Sequence, residues 1–521
     1  MNTKGLRQKI LDMAIHGKLV SQNPNDESAE VLLEKIRAEK AEKIKSGELK
    51  ADKKDSFIFV GSDKRHYEQF TDGSTKDIED EIPFELPAGW AWCRIFNIAT
   101  TELGKTLDAR KNKGDLYDYL CALNVKWYTF DFSTLKQIRI EKNEKERYLV
   151  KKGDLLICEG GDVGRSAIWN SDKEIYYQNA LHRVRFYNGI NQYFFLYILN
   201  YYKNIGLIDE VSGGVTIKHF TQNSMQKILL PLPPLAEQKR IVGKIEEIFA
   251  QIDALEQNKV ELQCAIKQAK AKILDLAIHG KLVPQEESDE SAEVLLERIR
   301  AEKAEKIKNG ELKADKKDSF IFVGSDKRHY EQFTDGSTKD IEDEIPFELP
   351  AGWAWVKLGD ICDYGKCLNV SSENLKQDDW ILDLEDIEKD TGKIIAFHTF
   401  GERKSESTKH KFFKGQVLYS KLRPYLNKVV IAPKDGFCTS EILPLDFNGI
   451  FENKFAQILL MSSYFLGVVN MLTYGVKMPR LGTGEAKKIL IPLPPLAEQK
   501  RIVGKIEELF EQLDSIAMNL G

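Results

Sequence analysis

The chain has 521 residues, of which 42% are apolar and 30% charged, and its formal net charge is −5. These values are ordinary for a globular protein of about three or four domains, and they exclude a chain that is disordered throughout. The longest apolar run, residues 193–199, is too short to cross a bilayer, and the N-terminal segment lacks the apolar stretch of a signal peptide. We therefore expect a cytoplasmic protein that does not contact a membrane.

Seven cysteines are scattered along the chain without a CxxC pair. Their spacing indicates neither a zinc site nor a disulfide framework, so we expect reduced, buried thiols.

The chain begins with a predicted helix at residues 1–20, followed by a strongly charged stretch at residues 21–92. In that stretch, Ser28 is a suitable N-cap and Gly47 a suitable stop for a short surface helix. The residues after Gly47 are rich in Lys, Asp, Gly and Ser and predict an extended linker. The linker ends in the apolar and aromatic sequence IPFELPAGWAW.

Much of the sequence occurs twice. The matching pairs are residues 10–20 with 273–283, residues 21–92 with 284–355, and residues 231–247 with 492–508, and within the second pair the 46 residues 47–92 return unchanged as 310–355. A period near 260 residues is far too long for a solenoid. The sequence therefore predicts a duplicated half-molecule.

Two stretches, residues 93–230 and 356–491, are framed by these repeats but are almost unrelated to each other. Both predict mixed α/β domains, with strands at residues 154–158, 166–169, 182–186, 416–419 and 428–432 and helices at residues 192–202 and 454–472. Lys and Arg outnumber Asp and Glu by 20 to 15 in residues 93–228 and by 19 to 17 in residues 356–489. The rest of the chain is acidic, so the two divergent domains are the basic part and are suited to phosphate contact.

Residues 231–283 predict one long helix, because residues 236–279 contain no proline and only Gly243 as a helix-weakening residue. Apolar residues recur in alternating steps of four and three, interrupted only at Lys259, which is the heptad pattern of a coiled coil. The positions are Ile241, Ile245, Ile248, Ile252, Leu255, Leu262, Ile266, Ala269, Ile273 and Leu276.

The second copy of this helix, residues 492–521, carries only the first half of the apolar pattern: Ile502, Ile506, Leu509, Leu513, Ile516 and Leu520. Residues 1–20 match the missing half, so we expect the N-terminal helix to complete in space the helix that the C-terminus leaves unfinished. The predicted fold class is α+β: two mixed α/β domains, residues 93–230 and 356–491, joined by two long antiparallel coiled-coil helices. The arrangement is circular and pseudo-twofold.

Candidate DNA contacts lie in glycine-containing or basic turns of the two divergent domains. Glycine permits close approach to phosphate, arginine can bond bidentately to guanine, and lysine mainly neutralises phosphate. The candidates are Arg165, Lys218 and His219 in the first domain and Lys421, Arg423, Tyr425, Lys428, Lys477 and Arg480 in the second. The alternative for each cation is a solvated surface charge, and for His182 and His219 a structural hydrogen bond.

Partner contacts are expected at exposed residues of the repeated helix openings, with simple solvation as the alternative. The candidates are Glu237, Lys239 and Arg240 in one copy and Glu498, Lys500 and Arg501 in the other. No phosphate-binding P-loop, HExxH, GxSxG or methyltransferase motif occurs, so no catalytic residue is assigned. Asp154 and Glu159 near Arg165 are more typical of ion pairs around a turn than of a nuclease.

The PLPPLAEQKRIVGKIEE helix openings, the IHGKLV continuation and the KLRPYLNK and GDLLICEGGDVGR turns resemble the specificity subunit of type I restriction-modification enzymes. The resemblance covers essentially the whole chain. It implies a non-catalytic reader of double-stranded DNA that joins two methyltransferase subunits and further restriction (translocase-nuclease) subunits. It also implies that S-adenosylmethionine, ATP and Mg are bound by those partner subunits, with no cofactor in this chain.

Two alternatives from other classes remain open at this point. One is a stand-alone nuclease with two DNA-binding lobes, which the missing catalytic motifs disfavour. The other is a coiled-coil scaffold that binds no nucleic acid. Salt-dependent binding to duplex DNA would be expected of the DNA-reading subunit and not of the scaffold.

Overall fold

The structure is a computed structural model, which describes residues 2–51, 55–108, 110, 112–187, 189–214, 218–310, 318–403, 405–475 and 477–519. The chain divides into two compact units, Met1–Asn258 and Lys259–Gly521. Each unit has its own main apolar core.

The first unit opens with two capped helices, α1 (Thr3–Ile15) and α2 (Ala29–Lys45). The side chain of Asn2 accepts a hydrogen bond from a backbone N–H of the first turn of α1, and Ser28 does the same for α2. A helix thus follows Ser28, as the sequence predicts, but it is not purely a surface helix, because Leu32 and Ile36 lie in the core of the unit.

A small sheet follows where the sequence predicted an extended linker, so that prediction is wrong. β1 (Ser56–Val60), β2 (His66–Phe70) and β3 (Thr75–Asp77) pair antiparallel, and a 3-10 turn, Glu79–Glu81, comes next. The turns, residues 61–65 and 71–74, contain Gly, Ser, Asp and Lys, whereas β1 and β2 carry aromatic and β-branched residues that favour a sheet. The rings of Phe59 and Tyr67 stack across β1 and β2, 5.8 Å apart.

The divergent stretches, residues 93–230 and 356–491, are called the first and second recognition domains. The first is mixed α/β, as predicted. Its elements are β4 (Ala91–Cys93), α3 (Ile95–Ile98), β5 (Ala99–Leu103), β6 (Asp115–Leu120), β7 (Lys136–Ile140), a 3-10 turn (Lys142–Glu144), α4 (Lys145–Tyr148), β8 (Leu149–Val150), β9 (Leu155–Cys158), β10 (Ser166–Ile168), β11 (Ile175–Tyr177), β12 (Leu181–Phe186), α5 (Gln192–Asn204), α6 (Leu207–Val211), α7 (Gln222–Gln226) and β13 (Leu230–Leu232).

Two four-stranded sheets organise this domain, with strand orders β10-β9-β12-β5 and β7-β6-β11-β8. A separate ribbon of β4 and β13 joins the two ends of the domain, where its sequence meets the repeated frame. The predicted strands at residues 154–158, 166–169 and 182–186 and the predicted helix at residues 192–202 are confirmed to within two residues.

The predicted long helix is confirmed as α8 (Leu235–Ile278), 44 residues that belong partly to each unit. In the first unit, the N-terminal part of α8 packs against α1 and against the residues that follow α1. The two segments run antiparallel. Arg7 forms an ion pair with Asp253 at 2.6 Å, while Arg240 near the start of α8 pairs with Asp26 at 2.7 Å.

The second unit repeats this plan. Its elements are α9 (Ala292–Lys308), β14 (Ser319–Val323), β15 (His329–Phe333), β16 (Thr338–Asp340), β17 (Ala354–Lys357), α10 (Leu358–Ile361), β18 (Leu368–Val370), β19 (Trp380–Leu382), β20 (His398–Thr399), α11 (Phe400–Arg403), β21 (Lys409–Phe412), β22 (Val417–Ser420), β23 (Val429–Ile431), β24 (Gly436–Thr439), β25 (Ile442–Leu445), α12 (Asn453–Met461), α13 (Ser463–Leu472), α14 (Thr483–Lys488), β26 (Leu490–Leu493) and α15 (Leu496–Asn519), with 3-10 turns at Glu342–Glu344, Ser372–Asn374, Leu384–Asp386 and Pro424–Leu426.

The second recognition domain has the strand order β18-β21-β24-β19-β20 in one sheet and β23-β22-β25 in the other. The parallel pairing of β19 with β24 matches that of β6 with β11 in the first domain. The two divergent sequences therefore build related sheets, and the predicted α+β class is confirmed.

One predicted helix, residues 454–472, is in fact two. It breaks at Ser462, whose side chain caps α13, and the two helices α12 and α13 meet at a bend of 60°. By length and composition the two helices together resemble a membrane span, but no single helix among the described residues is long and apolar enough to cross a membrane. The pair contributes Phe455, Leu459 and Phe465 to the core of its unit.

In the second unit the C-terminal part of α8 packs against α15, again in opposite chain directions. Lys270 of α8 pairs with Asp514 at 2.6 Å, and Arg501 near the start of α15 pairs with Asp289 at 2.6 Å. Within each unit, a segment of α8 is thus paired with a second helix.

The heptad prediction is wrong in the middle of α8. Ile241, Ile245 and Ile252 are buried as expected, but Leu255 is 52% exposed and Leu262 is 39% exposed. In the first unit, α1 begins only four residues before Arg7, which lies beside Asp253, so little helix remains to cover Leu255. The predicted apolar position Leu520 lies outside the described residues.

Candidate nucleic-acid interface

The turn after β9 in the first domain and the turn after β22 in the second are built on the same backbone frame. Each turn closes when the last residue of the strand donates its N–H to the residue before the next strand: Cys158 to Arg165 at 2.8 Å, and Ser420 to Lys428 at 3.1 Å. The residue before the acceptor has a positive φ in both turns, Gly164 at 82° and Asn427 at 50°. Arg165 and Lys428 therefore occupy equivalent positions.

A second loop lies against each turn in the same way. Phe220 N–H donates to Glu159 O at 2.8 Å, and Leu481 N–H donates to Lys421 O at 3.0 Å. On the other side of the turn, Glu159 N–H donates to Ala180 O at 2.9 Å and Lys421 N–H donates to Glu441 O at 3.0 Å.

Each second loop is itself closed by a reciprocal pair of backbone hydrogen bonds. Gly213 and His219 form this pair in the first domain, and Tyr474 and Arg480 form it in the second. The matched hydrogen bonds make Glu159 equivalent to Lys421, Ala180 to Glu441, Gly213 to Tyr474 and His219 to Arg480. The two domains thus present different side chains, and different charges, on one common frame.

In the first domain, Arg165 is held inward rather than projecting into solvent. Its Nη2 donates to Ala122 O at 2.7 Å, its Nη1 lies 3.7 Å from Asp162, and its side chain is only one-fifth exposed. The sequence prediction of a DNA contact at Arg165 is not supported by this geometry, because its strongest hydrogen bond is made within the domain.

Lys218 and His219 lie on the exposed loop next to this turn. Lys218 Nζ donates to Asp209 O at 2.6 Å, and His219 is exposed. Burial raises the pKa of the Glu159 carboxyl, and the nearby His219 opposes that shift.

His182 has the structural role that the sequence analysis favoured. It is buried, its Nε2 is 3.1 Å from Phe220 O, and desolvation lowers its pKa to about 4. Asp154 is likewise structural, since both of its carboxylate oxygens accept hydrogen bonds from Arg185 at 2.6 and 2.7 Å. The pairing of Asp154 with Arg185 favours the ion-pair interpretation over the nuclease.

In the second domain, two turns that are more than fifty residues apart in sequence come together. Arg423 N–H donates to Pro479 O at 2.7 Å, and Arg423 Nη2 lies 3.4 Å from Lys477 O. Lys421, Arg423, Lys477 and Arg480 therefore belong to one basic surface, and Tyr425 is exposed in the same turn as Arg423.

Lys428 does not join this surface. Its Nζ donates to Leu384 O at 2.6 Å, and burial lowers its pKa. Arg480 does belong to the surface, but it is not free, since Glu441 binds it through two nitrogen atoms.

Three residues of this surface were missed from the sequence. Tyr474 is 64% exposed and Met478 is also exposed, on the loop where only the two cations had been noted. An aromatic residue next to glycine in that loop was a usable signal. Glu441 gave no signal, because its partner Arg480 is 39 positions away.

The expectation that Glu237 and Glu498 are exposed is wrong. Each is 1% exposed, and each accepts a hydrogen bond from a tryptophan Nε1: Trp90 to Glu237 at 3.0 Å and Trp353 to Glu498 at 2.9 Å. Burial raises the pKa of both carboxyls. The repeated glutamates hold each helix opening onto its own unit, so they are not positioned to contact a partner.

The remaining candidates at the helix openings differ among themselves. Lys239 and Lys500 are exposed, whereas Arg240 and Arg501 are bound to Asp26 and Asp289.

Among the residues that the structure describes, no group of three His, Cys, Asp or Glu side chains could hold a metal ion.

Comparisons with known proteins agree on one family. Residues 87–263 and 350–519 match the family model described as the type I restriction modification DNA specificity domain. The chain is 27% identical to the type I restriction enzyme EcoAI specificity subunit of Escherichia coli, covering 98% of this chain and 90% of that protein. It is 25% identical to the EcoEI specificity subunit of the same organism, covering 99% and 90%.

A solved structure concerned with complex assembly and conformational transition of the type I R-M system has a similar fold. It covers 84% of this chain and 94% of its own, with a TM-score of 0.50 at 16% sequence identity.

Proposed function

The chain belongs to the family of type I restriction-modification specificity subunits, and from this premise we propose that it reads a bipartite, asymmetric DNA target through its two divergent domains. It is a non-catalytic subunit, and its function is to supply DNA sequence specificity. In this proposal, residues 93–230 and 356–491 read one half-site each. The stand-alone nuclease and the scaffold without nucleic acid are not favoured.

The observation that carries the two-half-site proposal is the common backbone frame with unlike side chains. Identical readers on such a frame would favour a palindromic target, as in symmetric dimers. Here Lys421 stands where the first domain has Glu159, and Arg480 stands where it has His219. Because the charge differs at equivalent positions, the two domains should prefer different bases.

Within each domain we assign DNA contact by accessibility. In the second domain, Lys421, Arg423, Tyr425, Lys477 and Arg480 are proposed contacts, since they lie on one exposed or half-exposed surface. In the first domain, Lys218 and His219 are proposed contacts. Arg165 and Lys428 are proposed to stabilise their turns, because each is only partly exposed and donates a hydrogen bond to a backbone carbonyl inside its domain. Lys218 makes a similar hydrogen bond but from an exposed position, so it stays a proposed contact.

We further propose that the chain binds two methyltransferase subunits and, through the complex, restriction subunits, in the cytoplasm. The repeated frames support one methyltransferase per frame, because each unit presents the same helix opening with an exposed lysine, Lys239 or Lys500. Adenine methylation and ATP-driven cleavage would be carried out by those partners with their own S-adenosylmethionine, ATP and Mg.

The proposed circular arrangement rests on matched helix pairings inside the two units. α15 pairs with the C-terminal part of α8 in one unit, and α1 pairs with its N-terminal part in the other, both antiparallel. If α15 and α1 together form a second long helix antiparallel to α8, each of them must pair with α8 in this way.

Mapping of methylated adenines in a host genome with and without this gene tests the proposal. A motif that depends on the gene and consists of two unlike half-sites around an unspecified spacer supports it. A continuous or palindromic motif contradicts it. Metal-dependent cleavage of DNA by the purified chain alone would instead revive the nuclease.

Duplex binding by the purified chain supplies a second test. Neutralisation of phosphates predicts that affinity falls steeply as salt is added. Duplexes with either half-site scrambled are the matched controls, and each should bind more weakly than the intact target. Absence of any salt-dependent duplex binding would favour the scaffold.

A further inference from the structure

Arg480 of the second domain is bound side-on by a carboxylate that the fold itself does not require. Its Nε and Nη2 donate to the Glu441 carboxylate at 3.1 and 3.0 Å, and the Arg480 side chain remains 38% exposed. An exposed ion pair of this kind contributes little to stability.

The first domain shows that the pair is not needed to build the loop. The same turn and the same reciprocal loop hydrogen bonds form there with Ala180 and His219 at the two equivalent positions. Ala180 has no charged group, so no ion pair can form between these two side chains. A pair that the common frame does not need, at the position where the two domains differ in charge, points to a role in recognition.

The bidentate contact fixes which donors of Arg480 face outward. A guanidinium carries five N–H groups in one plane, and the carboxylate uses the Nε–H and one Nη2–H. The end of the plane, formed by Nη1 and the second Nη2–H, keeps two parallel donors. That arrangement matches the O6 and N7 acceptors of guanine in the major groove.

The surroundings of Arg480 suit a base contact flanked by backbone contacts. Its main chain is bridged to both Leu422 and Tyr474, so its Cα is held on two sides. Lys421 and Arg423 lie in the adjoining turn after β22, where they can neutralise phosphates, and the exposed Tyr474 lies opposite Arg480 in the same loop.

We propose that Arg480 reads a guanine in the half-site of the second domain and that Glu441 is the positioning residue that aims it. The inference rests on the proposed function, since it names the base that one domain recognises. At the equivalent positions of the first domain, His219 stands in place of Arg480 and Ala180 in place of Glu441, so the first domain uses a different contact there.

The test measures binding of the full-length chain to its methylation-defined target duplex and to duplexes with each base pair of the second half-site replaced in turn. Wild type should lose roughly 5- to 150-fold in affinity when one particular G·C pair is replaced. Arg480→Lys and Glu441→Gln should both abolish most of that discrimination at that pair alone. Their affinity for the replaced duplex and their salt dependence should match wild type.

Arg328 provides a matched control in the same unit, because it forms a comparable exposed pair with Asp340 outside the recognition domain. Arg328→Lys should leave affinity and discrimination unchanged. Thermal unfolding of each variant should match wild type, which shows that a changed base preference does not come from a misfolded domain.

Two results would overturn the inference while leaving the proposed function intact. The first is that Arg480→Lys and Glu441→Gln still discriminate at every G·C pair as strongly as wild type does. The second is that Arg480→Ala binds all duplexes more weakly by the same factor and that its plot of log affinity against log salt concentration is less steep by about one. That result would make Arg480 a phosphate contact. If wild type itself distinguishes no sequence, the proposed function fails and the inference fails with it.

Discussion

The indole Nε1 of Trp90 donates a 3.0 Å hydrogen bond to Oε2 of Glu237, although the two residues are 147 positions apart. Trp90 lies near the end of the sequence that leads into the first recognition domain, and Glu237 lies in the helix that leads out of it. The bond therefore joins the entrance and the exit of the domain. Trp353 and Glu498 repeat it in the second unit at 2.9 Å.

Glu237→Ala should lower the free energy of unfolding by about 1–3 kcal/mol, because it leaves the buried Trp90 N–H without its acceptor. Denaturant unfolding followed by tryptophan fluorescence measures the change. Glu498→Ala should behave alike in the second unit, while Lys239→Ala, at an exposed neighbour, is the control. Unchanged unfolding of Glu237→Ala would show that the bond does not hold the helix opening.

The same residues show where sequence reasoning succeeded and where it failed. The long helix was predictable because its heptad repeats and its lack of proline are local features. The burial of Glu237 was not, since a glutamate beside lysines is usually solvated and its partner Trp90 is distant in sequence.

The linker was predicted wrongly from composition, because the polar turn residues outweighed the aromatic and β-branched residues of the short strands β1 and β2. Of the cations that the sequence singled out in the second domain, all but Lys428 lie on one surface. The inward orientation of Arg165 and the pairing of Arg480 with Glu441 depend on contacts between distant segments, so the sequence alone could not reveal them.

His182 should make the first domain sensitive to acid. Its pKa falls from 6.5 to about 4 in the folded state because burial disfavours the imidazolium. The unfolded chain then binds more protons below pH 6.5, so the stability that is present above that pH is lost progressively as the pH falls to about 4. The loss amounts to about 3 kcal/mol.

His182→Gln should remove this part of the pH dependence, since glutamine does not titrate and can still donate to Phe220 O. Unfolding midpoints of both proteins between pH 7 and about 4 measure the difference. His219→Gln, at an exposed histidine of the adjoining loop, is the control. Parallel pH profiles for wild type and His182→Gln would refute the assignment.

Arg423 and Arg165 should respond differently to alanine, although the sequence placed both in turns suited to DNA. Arg423→Ala should weaken duplex binding by roughly 1–3 kcal/mol if the arginine contacts a base, with relaxed preference in the second half-site only. Arg165→Ala should instead lower the free energy of unfolding by about 1.5–3 kcal/mol, because it removes the charged hydrogen bond to Ala122 O.

Binding titrations and denaturant unfolding of both variants separate the two roles. Lys428→Ala, which also loses a hydrogen bond to a backbone carbonyl, should resemble Arg165→Ala. Weaker binding of Arg165→Ala with full stability would restore Arg165 as a DNA contact.

Deletion of residues 1–20 should reduce the number of bound methyltransferase subunits from two to one. α1 contributes Leu11, Ala14 and Ile15 to the core of the first unit and pairs with α8 through Arg7. In the circular arrangement that we propose, the same helix completes the second long helix, so its loss should weaken one partner site far more than the other. Native mass spectrometry of the truncated chain with its methyltransferase measures the stoichiometry.

Two point variants distinguish loss of the helix from general destabilisation. Arg7→Ala removes the ion pair of α1 with Asp253, and Lys270→Ala removes the equivalent pair with Asp514 in the second unit. Because the carboxylate of each pair is well exposed, 69% for Asp253 and 47% for Asp514, the pairs add little stability and both variants should keep two methyltransferases per chain. If the truncated chain also keeps two, α1 does not support a partner site, and the proposal that the two ends of the chain form one shared helix must be abandoned.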